Sequence, residues 1–172
     1  LDRWEAYRAA HEIQLSPGLV AVEQWLRQEI PPDDGTPCLL HGDIGFHNLL
    51  FDGTRIAALL DWEMAYLGSP AKDLSQVHAM VTATLPWESF MAWYTDAGGR
   101  DVPLRHIQYF TVLSGYNYLL VCEMARQVML ARPEANVSYV DLAYPVRAHF
   151  YAELHRAMTE FVSPGAPMNS SR

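Results

Sequence analysis

Apolar residues recur at helical spacing near both ends of the chain, and the first clear case follows Ser16-Pro17. An amphipathic helix is predicted there because apolar residues return every three or four positions, at Leu19, Val22, Leu26 and Ile30. Ser16 is placed to cap this helix, with proline at the first helical position. A shorter helix is predicted over residues 3–14, and Pro31-Pro32 must end the second one because proline cannot continue a helix.

Three short extended segments follow, at residues 37–40, 48–51 and 55–60. Asp52-Gly53 separates the last two, and this dipeptide favours a tight hairpin turn because glycine accepts positive φ. Residues 64–72 contain Gly, Ser and Pro in succession and are predicted to form a loop. These segments together make a small β unit between two helical regions.

The remainder of the chain is predicted to be helical, near residues 72–83, 87–96, 103–131 and 138–161. Residues 163–172 are rich in Pro, Gly and Ser and are predicted to form a disordered tail. Two helices, a small β unit and a helical block define an α+β fold that is mostly helical. We expect one domain over residues 1–162.

Composition narrows the classes of partner. The chain carries 12 basic and 20 acidic residues, a formal net charge of −8, and so lacks the positive charge that nucleic-acid binding requires. Cys38 and Cys122 lie far apart in apolar surroundings, which fits buried thiols in a reducing cytoplasm. The longest uncharged apolar-rich run, from Tyr109 to Cys122, is too short to span a bilayer. We expect neither a nucleic-acid nor a membrane partner.

The polar residues of the β unit form the strongest chemical pattern in the sequence. Asp43 and Asn48 bracket a loop between two predicted strands, and Asp61 follows the second arm of the hairpin. Antiparallel pairing across Asp52-Gly53 brings Asn48 and Asp61 to the same end of the ribbon. Amide and carboxylate oxygens suit Mg²⁺, so Asn48 and Asp61 can hold that ion, while Asp43 can orient a hydroxyl and accept its proton. The pattern therefore indicates phosphoryl transfer.

The motifs of residues 38–78 resemble a known family, and they are His41-Gly42-Asp43, Asn48 and Asp61-Trp62-Glu63. His-x-Asp-x-x-x-x-Asn followed by an aspartate metal motif is typical of protein-kinase-like enzymes. Glycine after the histidine, and Asp-Trp-Glu in the metal motif, are similar to the aminoglycoside phosphotransferase and choline kinase superfamily. Gly68-x-Pro70-x-x-Asp73-Leu74 is most similar to the phosphotransferase domains that are sometimes fused to acyl-CoA dehydrogenases.

The resemblance implies a role for each matching residue. Asp43 would be the catalytic base, and Asn48 and Asp61 would be the ligands of the Mg²⁺ that accompanies ATP. His41 would tie the catalytic loop to the backbone near Asp61. Asp73 would brace the same loop from the following helix.

The resemblance also implies roles for residues whose motifs are less specific. Leu50 and Leu60 would form part of the floor under the adenine. Glu63 replaces the glycine of protein kinases and would support the site, although a surface carboxylate is an equally open interpretation. Glu123 and Asp141 lie on helices where the family places its acceptor site, so they would contact the substrate, although solvated helix faces explain them equally well.

The resemblance also implies a second lobe. In complete enzymes of this type, an N-terminal lobe supplies a loop over the phosphates and a lysine on a strand. No Gly-x-Gly-x-x-Gly occurs here, and the only lysine is Lys72, after the metal motif. We therefore expect a C-terminal catalytic lobe, a fragment of a kinase that moves the γ-phosphate of ATP to a hydroxyl of a small molecule. We expect this chain alone to turn over poorly, and the sequence leaves the acceptor open.

Two other functions remain open on the same residues. A binding or regulatory module could keep the metal-binding residues and lack catalysis. A metallohydrolase could bind Zn²⁺ or Mn²⁺ through a mixed cluster of His41, Asp43, His47, Asp61 and Glu63. The spacing from Asp43 to Asn48 would then be accidental. In the kinase interpretation His47 has no assigned role, because the family tolerates many residues there.

Overall fold

The computed structural model describes residues 2–10, 12–32, 35–131 and 138–162. Its helices are α1 (Asp2–Ala10), α2 (Pro17–Gln28), α3 (Ala71–Thr82), α4 (Trp87–Asp96), α5 (Leu104–Ala131), α6 (Ser138–Asp141) and α7 (Arg147–Val162). Its strands are β1 (Cys38–Leu40), β2 (Leu49–Asp52), β3 (Arg55–Leu59) and β4 (Tyr66–Gly68). With 65% of residues helical and 10% in strands, the predicted α+β, mostly helical class is confirmed. The predicted tail, 163–172, lies outside the described residues.

The chain divides into two compact units. The first comprises Leu1–Ile30 and Val112–Arg172, and the second comprises Pro31–Thr111. The long helix α5 contributes its first residues to the second unit and the rest to the first. The predicted catalytic residues all fall in the second unit.

Helix α2 shows how the sequence builds the first unit. Leu19, Val22 and Leu26 are buried, and their spacing puts them on one face of the helix. The Ser16 hydroxyl accepts a hydrogen bond from the backbone N–H of Leu19 at 3.5 Å, so the predicted N-cap is confirmed.

A buried polar contact ties α2 to α5 within the same unit. The hydroxyl of Tyr116, a fully buried residue, donates to Glu23 Oε2 at 2.7 Å. Arg8 of α1 donates to the same oxygen at 2.6 Å. Because the carboxylate is mostly buried, both partners contribute to satisfying its charge. Edge-to-face packing of Trp25 on Phe161, with ring centroids 4.7 Å apart, adds a contact from α2 to α7.

The helix predicted over residues 138–161 is interrupted by a wider turn. Leu142–Val146 forms a π-helical turn that contains Pro145. Proline has no backbone N–H to donate and crowds the preceding turn of a regular α-helix. The π turn therefore separates α6 from α7 where a single helix was predicted.

In the second unit the predicted hairpin is present. Strands β2 and β3 pair antiparallel with Leu49 opposite Leu59, and a bulge lies between Leu50 and Phe51. Gly53 in the turn has φ +61°, the left-handed conformation for which glycine is suited. The hairpin places the end of β3 beside the beginning of β2, where the candidate site lies.

The prediction that residues 64–72 form a loop is wrong in part. Residues Tyr66–Gly68 form strand β4, which pairs antiparallel with β1 so that Cys38 lies opposite Gly68. The turn residues Ser69 and Pro70 follow the strand directly. Pairing with residues about thirty positions earlier outweighs the local turn signal.

Helices α3 and α4 cover a small core in the second unit. Ala71, Leu74, Val102 and Ile107 are buried together, and partly buried aromatic residues and a methionine pack on them: Trp87, Phe90, Met91, Tyr94 and Phe110. This core fixes the start of α3, which carries Asp73. Within the described ranges, no helix is both long and apolar enough to cross a membrane.

The contact between Tyr116 and Glu23 predicts a stability effect. Tyr116→Phe should lower the free energy of unfolding by about 1–3 kcal/mol, because a hydrogen bond to a buried carboxylate is lost. Urea unfolding of this chain measures it. The matched control is Tyr144→Phe, since Tyr144 is 54% exposed, and this change should stay within about 0.5 kcal/mol.

The same pair predicts a dependence on alkaline pH. Burial, and then the hydrogen bond to Glu23, raise the pKa of Tyr116 from its ordinary value of 10.0. The folded state thus keeps the proton when the unfolded state has lost it, so the wild type loses stability as pH rises above the unfolded pKa. Its advantage over Tyr116→Phe should shrink above about pH 10. A constant difference between wild type and variant from pH 8 to 11 would contradict this assignment.

Candidate active site

His41 is the buried anchor of the loop between β1 and β2. Its Nε2 lies 2.8 Å from the carbonyl oxygen of Leu60, and its Nδ1 accepts from the backbone N–H of Asp43 at 3.2 Å. A carbonyl oxygen only accepts, so Nε2 carries the ring hydrogen and donates. The ring packs edge-on against Trp62 with centroids 4.8 Å apart. His41 thereby joins the loop to the residue that precedes Asp61.

The side chain of Asp73 holds the same loop from α3. Its Oδ2 accepts from the backbone N–H of His41 at 2.7 Å, and its Oδ1 accepts from that of Gly42 at 3.0 Å. Hydrogen bonds to a carboxylate are stronger than those between neutral groups. Both oxygens are used, so the carboxylate fixes two consecutive peptide groups of the loop.

Gln76 makes a second brace that the sequence analysis missed. Its Oε1 accepts from the backbone N–H of Ile44 at 3.0 Å, and its Nε2 donates to the carbonyl oxygen of Gly42 at 3.1 Å. Gln76 follows Asp73 by three residues, and that spacing puts the two side chains on one face of a helix. A search for polar residues one turn beyond Asp73 would have found it.

Gly42 is required by both its conformation and its neighbours. Its φ is +85°, and a Cβ there would lie 2.5 Å from the carbonyl oxygen of Met64. Any side chain would push the loop away from the segment that follows Asp61. The glycine in the His-Gly-Asp motif therefore allows close approach of two backbone segments.

Asp43 and Asn48 are in direct contact. Asn48 is buried, with 5% of its surface exposed, and its Nδ2 donates to the backbone oxygen of Asp43 at 2.9 Å and to Asp43 Oδ2 at 3.3 Å. Because the amide nitrogen is engaged with Asp43, Oδ1 is the Asn48 atom left for a cation. His47 Nε2 lies 3.3 Å from the same Oδ2 of Asp43.

Asp61 directly follows Leu60, whose backbone is hydrogen-bonded to that of Asn48. The N–H of Leu60 donates to the carbonyl oxygen of Asn48 at 2.8 Å, which extends the β2–β3 register by one residue. Asp61 is exposed and has φ +64° and ψ +59°, a left-handed conformation that is uncommon outside glycine and that asparagine and aspartate adopt more readily than other residues. Strain of this kind is concentrated at functional sites.

Lys72 brings a positive charge to the same region. Burial lowers its pKa, while the charges of Asp73 and then Asp43 oppose that shift. The negative charges of both carboxylates thus favour the protonated form of Lys72. The sequence analysis gave this lysine no part in the site.

The other predicted residues lie in different environments. Leu50 and Leu60 are 51% and 47% exposed, and Glu63 is exposed as well. Asp141 is exposed on α6 in the first unit, a position that either of its two interpretations allows. All of these assignments stay predictions.

Glu123 is not on a solvated helix face, which was one of the two interpretations of its position. Only 3% of its surface is exposed. Its Oε1 accepts from Nε and Nη2 of Arg126 at 2.8 and 2.6 Å, and Arg147 Nη2 lies 3.5 Å from its Oε2. Two guanidinium groups thus neutralise the carboxylate, and its predicted contact with the substrate stays untested.

Large apolar side chains around the hairpin are unusually exposed. Those of residues 39–67 that are at least 45% exposed are Leu39, Phe46, Leu50, Phe51, Ile56, Leu60, Trp62, Met64, Tyr66 and Leu67. Exposed apolar residues in such concentration are typical of a surface that binds a ligand or another protein region.

The donor atoms of the site fit Mg²⁺ better than zinc. Among the described residues, no three His, Cys, Asp or Glu side chains form a group that could hold a metal ion, so the five-residue cluster expected for a metallohydrolase is not assembled. Mg²⁺ commonly takes one or two protein oxygens and completes its shell with phosphate and water. Asn48 Oδ1 and the carboxylate of Asp61 are oxygens of that kind.

Comparison with known proteins identifies the class. The model of the phosphotransferase enzyme family (APH) matches residues 1–108, and the chain belongs to this family. A crystal structure from Ralstonia eutropha, named provisionally as an aminoglycoside phosphotransferase, superposes with a TM-score of 0.68 over 92% of this chain and 54% of that one. At 20% sequence identity this likeness shows a shared fold.

Among curated proteins the chain is similar to acyl-CoA dehydrogenase family members. It is 39% identical to chicken family member 11 over 61 residues, 34% of this chain and 8% of that protein. It is 33% identical to the rat protein over 79 residues, 45% of this chain and 10% of that one. Identity to the Arabidopsis protein named probable acyl-CoA dehydrogenase IBR3 is 26% over 144 residues, 66% of this chain and 18% of that protein. The matches thus span less than a fifth of each relative's length.

The two hydrogen bonds from Asp73 of α3 to the loop predict a stability effect. Asp73→Asn should destabilise the chain by about 1.5–3 kcal/mol, because one of the two backbone N–H groups would face an amide N–H instead of a carboxylate oxygen. Urea unfolding measures the loss. Asp96→Asn, at an exposed position near the end of α4, is the matched control and should change stability by less than about 0.5 kcal/mol. Equal effects of the two changes would contradict a bracing role for Asp73.

Proposed function

We propose that this chain carries the catalytic loop of an ATP-dependent kinase that passes the γ-phosphate to a hydroxyl of a small molecule. The observation that carries the proposal is the contact of Asp43 with Asn48, at 2.9 and 3.3 Å, beside the strand end that presents Asp61. Family membership supports phosphoryl transfer as the chemistry. Phosphoryl transfer requires a base close to the cation ligands, and the contact of Asp43 with Asn48 is consistent with that requirement.

Each candidate residue would have a separate role in phosphoryl transfer. Asp43 would accept the hydrogen bond of the acceptor hydroxyl and take its proton as that oxygen bonds to the γ-phosphorus, while the bond from the γ-phosphorus to the bridging oxygen breaks and ADP leaves. Asn48 Oδ1 and Asp61 would hold Mg²⁺, which when bound neutralises charge on the phosphates and orients them. Lys72 would add positive charge near Asp43. Asp73 would keep the loop in the geometry that all of these contacts need.

We further propose that the groups covering the phosphates come from outside these 172 residues, in an N-terminal lobe. The sequence has no Gly-x-Gly-x-x-Gly and no lysine before Lys72. The exposed apolar residues of 39–67 support this proposal, because they suit contact with an adenine ring or a further lobe. Leu50 and Leu60 would lie under the adenine.

The acceptor is proposed as a hydroxylated small metabolite rather than a drug. The curated relatives are named as acyl-CoA dehydrogenase family members, and the solved structure is named for aminoglycosides. The chicken and rat relatives are 33–39% identical to this chain over 34–45% of its length, and this local similarity supports a metabolite. Substrate class is weakly constrained by fold, so aminoglycosides belong in the test.

The first functional prediction concerns Asp43 in the full-length protein that carries this chain. Asp43→Asn should lower kcat by about 10²–10⁴-fold, because it removes the group that accepts the hydroxyl proton. ATP consumption screened against hydroxylated metabolites and aminoglycosides measures the activity. Asp52→Asn, in the exposed hairpin turn, is the matched control and should retain wild-type activity.

The outcomes separate the kinase from a binding module. Mg²⁺-dependent ATP consumption that depends on Asp43 would support the kinase. Full activity of Asp43→Asn would refute the assigned base. Nucleotide binding without turnover, with any acceptor in the screen, would favour a module that has lost catalysis.

The second functional prediction separates charge from backbone strain at Asp61. Asp61→Asn should lose most Mg²⁺-dependent activity while keeping stability, since asparagine accepts the left-handed conformation. Asp61→Ala should lose the same activity and, in addition, about 1 kcal/mol of stability. Steady-state kinetics at varied Mg²⁺ and thermal unfolding give the two readouts. Asp61→Asn with an unchanged Mg²⁺ requirement would argue against metal binding by Asp61.

A further inference from the structure

The ring of His47 occupies the space where a side chain at position 45 would lie. A Cβ on residue 45 would overlap Cε1 of the His47 ring and lie 2.6 Å from its Nδ1. Contacts this short do not occur, so any larger residue at position 45 would displace the ring. The ring is the far end of an exposed side chain, so a Cβ at position 45 would be accommodated by moving the ring from this position.

The backbone conformation at position 45 does not require glycine. Gly45 has φ −160° and ψ +164°, an extended conformation that any residue adopts without strain. Gly42, by contrast, has φ +85° and needs glycine for its own conformation. The absence of a side chain at Gly45 thus leaves room for the His47 ring in the position it occupies.

In this position the His47 ring lies within hydrogen-bonding distance of Asp43, the predicted catalytic base. His47 Nε2 lies 3.3 Å from Asp43 Oδ2, and Asn48 Nδ2 lies 3.3 Å from the same oxygen. A carboxylate oxygen only accepts, so both nitrogens donate to Oδ2. Among the described residues, Oδ1 of Asp43 accepts no hydrogen bond, which leaves it for an acceptor hydroxyl.

We propose that His47 is a positioning residue of the phosphotransfer site: its ring, in the space left by Gly45, holds Oδ2 of Asp43 so that Oδ1 is presented to the acceptor hydroxyl. The inference rests on the proposed function, because it needs Asp43 to be the base. His47 touches neither substrate nor nucleotide in this account. It acts through Asp43.

The exposure of the His47 and Asp43 side chains distinguishes a role in positioning the base from a role in folding stability. The side chain of His47 is 67% exposed and that of Asp43 is 36% exposed, so the hydrogen bond between them contributes little to folding. Its effect should appear in the orientation of the carboxylate during turnover. A misplaced base lowers kcat without weakening nucleotide binding.

The test compares variants of the full-length protein that carries this chain. His47→Ala removes the donor, and His47→Gln keeps an N–H at the position of Nε2. His47→Asn is the matched control, because its amide is one bond too short to reach Asp43. Gly45→Ala displaces the ring while the histidine is retained, and the double variant Gly45→Ala/His47→Ala removes the source of the clash.

The expected result is a loss of kcat of about three- to tenfold in His47→Ala, His47→Asn and Gly45→Ala, with KM for ATP and thermal stability near wild type. His47→Gln should recover most of the loss. The double variant should be no worse than His47→Ala alone, because both changes remove the same contact.

Three outcomes would overturn the inference. His47→Ala with wild-type kcat, in a protein that Asp43→Asn inactivates, would refute the positioning role and leave the proposed function standing. Additive losses in the double variant would show that Gly45 acts independently of His47. A wild-type protein that shows no phosphotransfer with any acceptor would refute both the inference and the function on which it rests.

Discussion

The candidate site depends on one carboxylate that binds two consecutive peptide groups. Asp73 accepts the backbone N–H of His41 and of Gly42 with its two oxygens, at 2.7 and 3.0 Å. A loop of eight residues between β1 and β2 would otherwise sample many conformations, each of which costs entropy to exclude. The charge-assisted bonds fix the start of the loop on α3, and α3 is itself held by the core around Leu74.

From that anchor the geometry of the other candidate residues follows in short steps. His41, once positioned, reaches across to the carbonyl of Leu60 and so fixes the end of β3 against the loop. Gly42 allows the close approach because a side chain there would meet Met64. Asp43 is then placed against Asn48, and Asp61 emerges beside them in a left-handed conformation. A substitution at Asp73 is therefore expected to shift the side chains of Asp43, Asn48 and Asp61, although Asp73 is hydrogen-bonded to none of these side chains.

The sequence predicted the parts of this arrangement that depend on local signals. Ser16-Pro17 marked a helix start, Asp52-Gly53 marked a hairpin, and the helical periods of α3, α4 and α5 were found within a few residues. Strand β4 was missed because Tyr66–Gly68 is a strand only through pairing with β1, while its neighbours Ser69 and Pro70 signal a turn. The π turn at Pro145 and the left-handed Asp61 were missed for a similar reason, since both conformations depend on the surrounding fold. Gln76 could have been sought one helical turn beyond Asp73, whereas the contact of Gly45 with His47 is visible only once side chains have positions.

In the proposed mechanism, Asn48 Oδ1 and the carboxylate of Asp61 bind one ion that also binds the phosphates of ATP. The most direct measurement is a crystal structure of the full-length protein with Mg²⁺ and a non-hydrolysable ATP analogue. We expect both oxygens at about 2.0–2.1 Å from the same Mg²⁺. An ion held by other residues, with Asn48 and Asp61 turned to different surfaces, would contradict it.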